Sequence, residues 1–319
     1  MTYINKILCI SVLAAMPTGM SAQTQESTPS AQTQDEEAID PFVVLPPLFE
    51  YPVAPEDLEW NQRSNWLAEH FWDSFDFKQK SVGQSQLVHA FTTYIVPLHL
   101  AERDVAMKSV QALIKKLQKS PTLLLQFTQA AERTMYEPNT AELVIDEVYL
   151  EFLNAVTKNK KIPDLRKARY KSQLKSLSNS LVGKPLLRFA FTDRKGQPEV
   201  YSNAGVPEII VFGNYDCTDC RLARLQLDTD SELQELVDAG KARIMFISPD
   251  VDTSEIGAWA EAVKKYPENW TVGRGESLDE KIDLRVIPAL FIIGADGNIV
   301  SKSANTKTAR EYVKNNVIK

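Results

Sequence analysis

The chain has very few cysteines and histidines for its length. Of its 319 residues, three are histidine and three are cysteine, namely Cys9, Cys217 and Cys220. Two of the cysteines share one Cys-x-x-Cys motif, which excludes a framework of structural disulfides. The motif can also bind zinc, but zinc needs four ligands, no second cysteine pair exists, and the histidines are remote in sequence. We therefore predict no metal site and no bound cofactor.

An excess of basic residues is also missing. The chain carries 36 Lys and Arg against 42 Asp and Glu, a net charge of -6, so no electrostatic attraction to nucleic acid is expected. Apolar residues make up 44% and charged residues 24%, as in soluble globular proteins. The length exceeds what one hydrophobic core usually serves, which predicts two domains.

The apolar run near the N-terminus is too short to cross a bilayer. It spans residues 7–15, whereas a membrane helix needs ~20 residues. The run follows a single cation, Lys6, and precedes small residues that end at Ala22, a pattern typical of a cleaved secretory signal peptide. The alternative is a buried N-terminal helix or a membrane anchor. Cleavage would remove Cys9 and leave a mature chain without a transmembrane helix in the periplasm or another extracytoplasmic compartment, where disulfides persist.

Four segments are predicted along the chain. A signal peptide at 1–22 precedes a spacer at 23–54, which is polar and disordered at first and then rich in proline, as in extended chain lying on a domain surface. A helical domain at 55–182 follows, because apolar residues recur at helical spacing and Gly83 is the only glycine between 55 and 180. Its helices are predicted near 60–75, 85–96, 101–119, 121–135, 141–159 and 165–181.

After Gly183-Lys-Pro185 the spacing of apolar residues is no longer helical throughout. An α/β domain is predicted at 183–319. Strands alternate with helices and end in a hairpin at Asp296-Gly297, which indicates a mixed central sheet. Strands are predicted at 186–192, 199–202, 208–212, 242–248, 270–272, 289–293 and 298–303, helices at 221–239, 253–266 and 306–317, and a helical turn at 278–283.

The sequence Cys217-Thr-Asp-Cys220 directly follows the predicted buried strand at 208–212. This order puts the first sulfur at a helix N-terminus, where free N–H groups and the helix dipole favour a thiolate. Cys217 is therefore the predicted nucleophile. Cys220, one turn later, is the predicted resolving thiol, which attacks the mixed disulfide and releases the substrate.

A second motif, Arg285-Val-Ile287-Pro288-Ala-Leu290, follows later in the chain. With strand, Cys-x-x-Cys, helix and this proline in that order, the chain resembles the thioredoxin superfamily. The resemblance implies that Pro288 is cis and faces the dithiol, and that the backbone of Ile287 pairs with an extended substrate segment while its side chain lies over the sulfurs. A plain turn proline is the alternative.

Two further resemblances concern the branch and the helical domain. Three features are similar to the extracytoplasmic TlpA and peroxiredoxin-related branch: the insertion between 248 and 287, the hairpin predicted from strands 186–192 and 199–202, and Asp296-Gly297. The sequences WLAEHFWDSFDF at 66–77 and YEPN at 136–139 resemble the uncharacterised helical module that precedes thioredoxin-like domains in exported bacterial proteins. The second resemblance implies an architecture but no chemistry.

The chain departs from the thioredoxin pattern beside the cysteines. Asp216 stands where a tryptophan is usual, and Val211 stands where many members carry a buried acid, so the resemblance assigns no proton acceptor to Cys220.

Two carboxylates are expected to influence the nucleophile. Asp216 and Asp219 oppose thiolate formation, whereas Arg221 and Arg224 and the helix terminus favour it. The carboxylates are nearer, which predicts a pKa for the Cys217 thiol closer to thioredoxin's ~7 than to the ~3.5 of strong thiol oxidants, and hence a reducing couple. Helix N-capping is the alternative role of the two aspartates.

These observations favour an exported thiol:disulfide oxidoreductase that reduces disulfides in periplasmic or envelope proteins. The expected partners are disulfide-containing exported proteins and an upstream thiol electron donor, with no nucleic acid. The alternative is an envelope binding protein whose thioredoxin-like domain is mainly a scaffold. A peroxidase is disfavoured, because the residue three before Cys217 is Asn214 rather than threonine.

Overall fold

The structure of the protein, a computed structural model, describes residues 46–137 and 145–317. The predicted signal peptide at 1–22 and residues 23–45 of the predicted spacer lie outside the described residues. Pro138 and Asn139 of the YEPN motif lie outside them as well. All described residues belong to one compact unit.

The first half of the described chain is helical, as its apolar spacing and lack of glycine predict. Ser120 shows how one helix starts: its hydroxyl accepts a hydrogen bond from the Leu123 N–H at 3.4 Å, and Pro121 occupies the first helical position. The six helices are α1 (Trp60–His70), α2 (Gln84–Leu100), α3 (Arg103–Leu117), α4 (Pro121–Met135), α5 (Asp146–Lys158) and α6 (Asp164–Ser178).

The first helix is shorter than predicted. Residues 71–75 form turns instead, with the Asp73 N–H bonded to the His70 carbonyl at 3.1 Å and the Phe75 N–H bonded to the Trp72 carbonyl at 3.3 Å. These turns direct the side chains of Phe71, Trp72 and Phe75 into the helical core, where all three are buried.

Aromatic side chains fill much of that core. The ring of Trp72 lies 5.5 Å from that of Phe91 and 5.1 Å from that of Phe127. Phe49, which precedes α1, packs on Trp72 at 5.3 Å. The proline-rich segment therefore lies against the helical core near Phe49, and contacts of this kind add about 0.5–1.5 kcal/mol each beyond the area they bury.

The second half contains one seven-stranded sheet in the order β2-β1-β5-β4-β3-β6-β7. Strands β3, β4 and β5 run parallel to one another, and the other neighbours are antiparallel, so the sheet is mixed as predicted. The first strand starts later than predicted. The strands are β1 (Ala190–Asp193), β2 (Pro198–Val200), β3 (Glu208–Phe212), β4 (Arg243–Pro249), β5 (Thr271–Gly275), β6 (Ala289–Ile293) and β7 (Ile299–Ser301).

Four further helices accompany the sheet: α7 (Thr218–Asp228), α8 (Ser231–Asp238), α9 (Ile256–Val263) and α10 (Thr306–Asn316). The single helix predicted at 221–239 is wrong, since α7 begins one turn earlier and α8 is separate. Asp230 causes the break, because its carboxylate caps α8 by accepting a hydrogen bond from the Leu233 N–H at 3.1 Å.

The central strand β3 is buried along its whole length. Its side chains alternate between two cores: Ile209 and Val211 pack with Cys220, whereas Ile210 and Phe212 pack on the opposite face of the sheet. Packing on both faces therefore fixes the C-terminal end of β3 and the start of the loop that follows it.

Candidate active site

The two cysteines lie at the start of α7, directly after β3. Cys217 is the N-cap residue, and its sulfur accepts a hydrogen bond from the Cys220 N–H at 3.2 Å. Both are free thiols, and Cys217 is partly exposed whereas Cys220 is buried. The sulfur that reaches solvent is thus the one that faces the unpaired N–H groups of the helix.

Burial raises the pKa of the Cys220 thiol to about 12, and its hydrogen bond to the Cys217 sulfur acts in the same direction. Cys220 therefore remains protonated at neutral pH. Its surroundings are apolar, since Val211 and Phe246 belong to the same buried cluster. This difference suits the partly exposed Cys217 thiol to attack a disulfide and the buried Cys220 thiol to resolve the mixed disulfide.

Gly213 is a residue of the site that the sequence analysis missed. A Cβ atom at this position would lie 3.1 Å from the Cys220 sulfur and 3.0 Å from the Cζ atom of Phe246, both too close for a normal contact. Glycine thus allows the backbone after β3 to pass directly beneath the buried thiol. A lone glycine between a buried strand and the motif was the available signal.

The Ile287–Pro288 peptide bond is cis, as predicted. In the next strand, Ala289 pairs with Phe212 of β3. Beyond this pair, Pro288 precedes β6 and Gly213 follows β3. The antiparallel pairing of β3 and β6 therefore brings the proline and the loop that leads to Cys217 to the same end of the two strands.

A cleft of about 320 Å³ opens beside the dithiol loop. Ile287 and Asp216 both line it, so the predicted substrate-binding residue and one predicted pKa-modulating residue share one space. Ile287 and Cys217 also pack against the buried cluster that contains Cys220. The cleft is lined by Asn214, Tyr215, Asp216, Pro249, Asp250, Val251, Glu255, Asp279, Leu284 and Ile287.

The charged residues near the motif differ in their positions. Asp216 is exposed ahead of the helix and Asp219 is exposed in its first turn, while the N-cap position belongs to Cys217. Arg221 is exposed, whereas Arg224 is buried, bonded to Asp228 at 3.2 Å and stacked over a tyrosine ring. Arg221 is therefore the more accessible of the two cations predicted to favour the thiolate.

Within residues 46–137 and 145–317, no group of three or more histidine, cysteine, aspartate or glutamate side chains is arranged to hold a metal ion. None of the described helices is both long enough and apolar enough to span a bilayer.

Comparison with known families identifies the helical part. A family model described as a domain of unknown function (DUF5106) matches residues 19–180, half of the chain. The chain belongs to this family. The predicted resemblance to an uncharacterised helical module ahead of a thioredoxin-like domain is confirmed.

Among solved structures, a thioredoxin-like protein from Bacteroides caccae matches with a TM-score of 0.69 and 21% identity, over 83% of this chain and 98% of that one. At this identity the likeness shows the fold alone, a helical domain joined to a thioredoxin-like domain, which confirms the predicted fold class.

Two shorter structures also match. A conserved protein of unknown function from Bacteroides fragilis has a TM-score of 0.38 and 21% identity, over 42% of this chain and 98% of that one. The thioredoxin domain of a thiol-disulfide oxidoreductase from Bacteroides vulgatus has a TM-score of 0.36 and 18% identity, over 43% of this chain and 99% of that one. No curated protein matches the chain.

Proposed function

We propose that the protein is an exported thiol:disulfide oxidoreductase that reduces disulfides in periplasmic or envelope proteins through Cys217 and Cys220. One observation supports this proposal above all others. The partly exposed Cys217 sulfur caps a helix N-terminus, and the buried Cys220 donates its backbone N–H to that sulfur at 3.2 Å.

The exchange proceeds in two steps. The Cys217 thiolate attacks one sulfur of the client disulfide, so that a mixed disulfide forms and the client's other sulfur leaves as a thiolate and takes up a proton. Cys220 then loses its proton and attacks the Cys217 sulfur, which forms the Cys217–Cys220 disulfide and releases the client's second thiol. Two electrons pass to the client, and an upstream thiol donor must return them.

The client segment binds at the cleft in this proposal. Ile287 lines the cleft and precedes the cis-proline, so its backbone is available to pair with an extended peptide while the client sulfur approaches Cys217. Asp216 and Asp219 lie on the exposed side of the same loop and helix turn, where their charges act on the thiolate and on the client.

Turnover of a protein disulfide tests the proposal. The chain without residues 1–22 should reduce insulin in the presence of a small dithiol, and Cys217→Ser should abolish the activity. Cys220→Ser should accumulate mixed disulfides with client proteins, visible on non-reducing gels. Thr218→Ala, which retains both thiols, is the matched control.

Absence of both insulin reduction and trapped adducts would reject the redox function. Capture of a partner that is unaffected by Cys217→Ser would instead favour a binding protein with a thioredoxin-like scaffold.

A further inference from the structure

Four charged side chains connect the helical domain to the segment that precedes the cis-proline. We call them the four-charge cluster: Asp146, Asp283, Arg285 and Lys302. Asp146 is the first residue of α5, Asp283 and Arg285 precede Pro288, and Lys302 follows β7. Arg285 Nη2 lies 2.7 Å from Asp146 Oδ1, and Lys302 Nζ lies 2.7 Å from Asp146 Oδ2. Both cations also bind Asp283.

The four-charge cluster is closed and largely shielded from solvent. It contains two positive and two negative groups, and its most exposed side chain, that of Asp146, is only 15% exposed. Burial alone would raise the pKa of Asp283, but the hydrogen bond from Arg285 and the charge of Lys302 hold it below its usual range. The Asp283 carboxylate therefore stays charged at neutral pH and keeps its hydrogen bonds with Arg285 and Lys302.

Further contacts bind the same segment to the helical domain. The guanidinium of Arg285 lies over the ring of Tyr136 at 4.1 Å. The side-chain amide of Asn179 donates to the Lys281 carbonyl at 3.0 Å, and the Asp283 N–H donates to the Ser180 hydroxyl at 2.9 Å. Residues 281–285 are thus held from the end of α4, the start of α5 and the end of α6.

Arg285 lies two residues before Ile287, which lines the cleft together with Asp216, the residue that precedes Cys217. On its other side, Ile287 is followed by Pro288 and by β6, which is fixed in the sheet. The position of the Ile287 backbone is therefore determined by β6 at one end and by the four-charge cluster at the other.

We propose that Arg285 is a positioning residue, through which the helical domain holds Ile287 and Pro288 in the geometry that receives a client peptide. This role rests on the proposed reductase function and gives the helical domain a part in client binding. Buried ion pairs contribute little net stability compared with apolar contacts, but their charge-assisted hydrogen bonds fix direction. The four-charge cluster thus orients the loop rather than merely joining two surfaces.

Asp146→Asn in the chain without residues 1–22 tests the role, because it removes a charge outside the dithiol site and nearly preserves volume. The rate constant for oxidation of the reduced protein by insulin should fall about tenfold. Oxidation by hydroxyethyl disulfide, which has no peptide segment to bind, should change by less than about twofold. Asp164→Asn, which breaks an exposed ion pair with Lys171, is the matched control and should change neither rate.

A second variant and a second measurement cover the case in which Asp146→Asn folds poorly. Tyr136→Leu removes the ring beneath Arg285 and should show the same difference between the two disulfides. In both variants, amide hydrogen exchange should accelerate in residues 281–289 while residues 243–249 of β4 keep their wild-type protection.

Each outcome separates the two proposals. Unchanged exchange in 281–289, or a parallel change in both oxidation rates, would overturn the positioning role while leaving the reductase intact. If the wild-type protein reduces neither disulfide, the proposed function fails and the positioning role fails with it.

Discussion

The two sulfurs of the motif are three residues apart in sequence and differ sharply in environment. Cys217 takes the N-cap position and reaches solvent, whereas one helical turn later Cys220 points into the apolar core beside β3. The two side chains lie near the same face of α7, so the difference comes from depth: Cys217 caps the end of the helix, whereas Cys220 lies one turn further in and packs against Ile209 and Val211 of β3.

The raised pKa of Cys220 leads to a prediction on alkylation. Because burial raises the pKa of the Cys220 thiol to about 12, very little Cys220 thiolate is present at pH 8. Iodoacetamide should therefore modify the native reduced protein at Cys217 alone, as mass spectrometry of peptides can show. In Cys217→Ser, burial remains, so Cys220 should react only after denaturation. Modification of Cys220 in the native variant at the rate of a free thiol would contradict this environment.

Gly213 leads to a second prediction at the residue scale. Gly213→Ala places a methyl group against Cys220 and Phe246 at 3.1 and 3.0 Å, and should lower the free energy of unfolding by about 1–3 kcal/mol. Urea unfolding of the reduced protein measures the change.

Gly257→Ala in α9 is the matched control for Gly213→Ala. A Cβ atom at Gly257 meets nothing within 4 Å, so alanine should be neutral or stabilise the helix by up to about 1 kcal/mol. Equal losses of stability in the two variants would show that the close approach at Gly213 is not the cause.

At the scale of elements, the break between α7 and α8 depends on Asp230. Its carboxylate caps α8 and also forms ion pairs with α10, to Arg310 at 3.3 Å and to Lys314 at 2.9 Å. Burial tends to raise the pKa of Asp230, but these cations and the Leu233 N–H lower it overall. One side chain therefore starts one helix and attaches another.

Two substitutions separate these roles. Asp230→Asn keeps an oxygen that accepts from the Leu233 N–H but loses the charge, whereas Asp230→Ala loses both. The alanine variant should be less stable than wild type by about 1–2 kcal/mol and the asparagine variant by less, as urea unfolding measures. Equal losses would assign the effect to the ion pairs, and in that case 1 M salt should reduce it, though only in part because the Asp230 side chain is nearly buried.

At the scale of the whole molecule, the four-charge cluster joins residues that are far apart along the chain. Arg285 reaches Asp146 across 139 positions and the Tyr136 carbonyl across 149. The two halves, which differ in secondary structure, are therefore coupled directly behind the loop that carries Ile287 and the cis-proline.

Acid should weaken this coupling. The pKa of Asp283 is lower in the folded protein than in the unfolded chain, so its contribution to stability is present above pH ~3.9 and is lost as the pH falls toward the folded pKa. Urea midpoints should therefore decrease as the pH falls below about 4, and Asp283→Asn should make this decrease smaller.

Asp164→Asn is the control for that pH dependence. Asp164 also has a lowered pKa, caused by its hydrogen bond with Lys171, but its ion pair is exposed and solvent screens it. The slope below pH 4 should change less than in Asp283→Asn. An equal change in both variants would mean that acid acts on surface pairs generally and not on the four-charge cluster.

Much of the fold is local information and could be predicted from the sequence. The spacing of apolar residues and the glycine content distinguish the helical half from the α/β half. The apolar run at 208–212 forms the buried strand β3, and the Cys-x-x-Cys motif follows it. The helix at 221–239 was predicted wrongly, because Asp230 is one acid among many until its cap is seen. The position of the cis-proline came from a family resemblance and not from the residues alone.

The sequence by itself determined the dithiol, its place between a strand and a helix, and the order of the two halves, since each depends on neighbours a few residues apart. Only the tertiary structure decided that Gly213 lies against Cys220, that Ile287 shares a cleft with Asp216, and that Arg285 binds α5. These contacts join residues of different elements, which no repeat of apolar residues along the sequence relates. Which residues meet depends on how distant segments of the chain pack together. Periodicity reports which face of an element is buried, but not which element covers it.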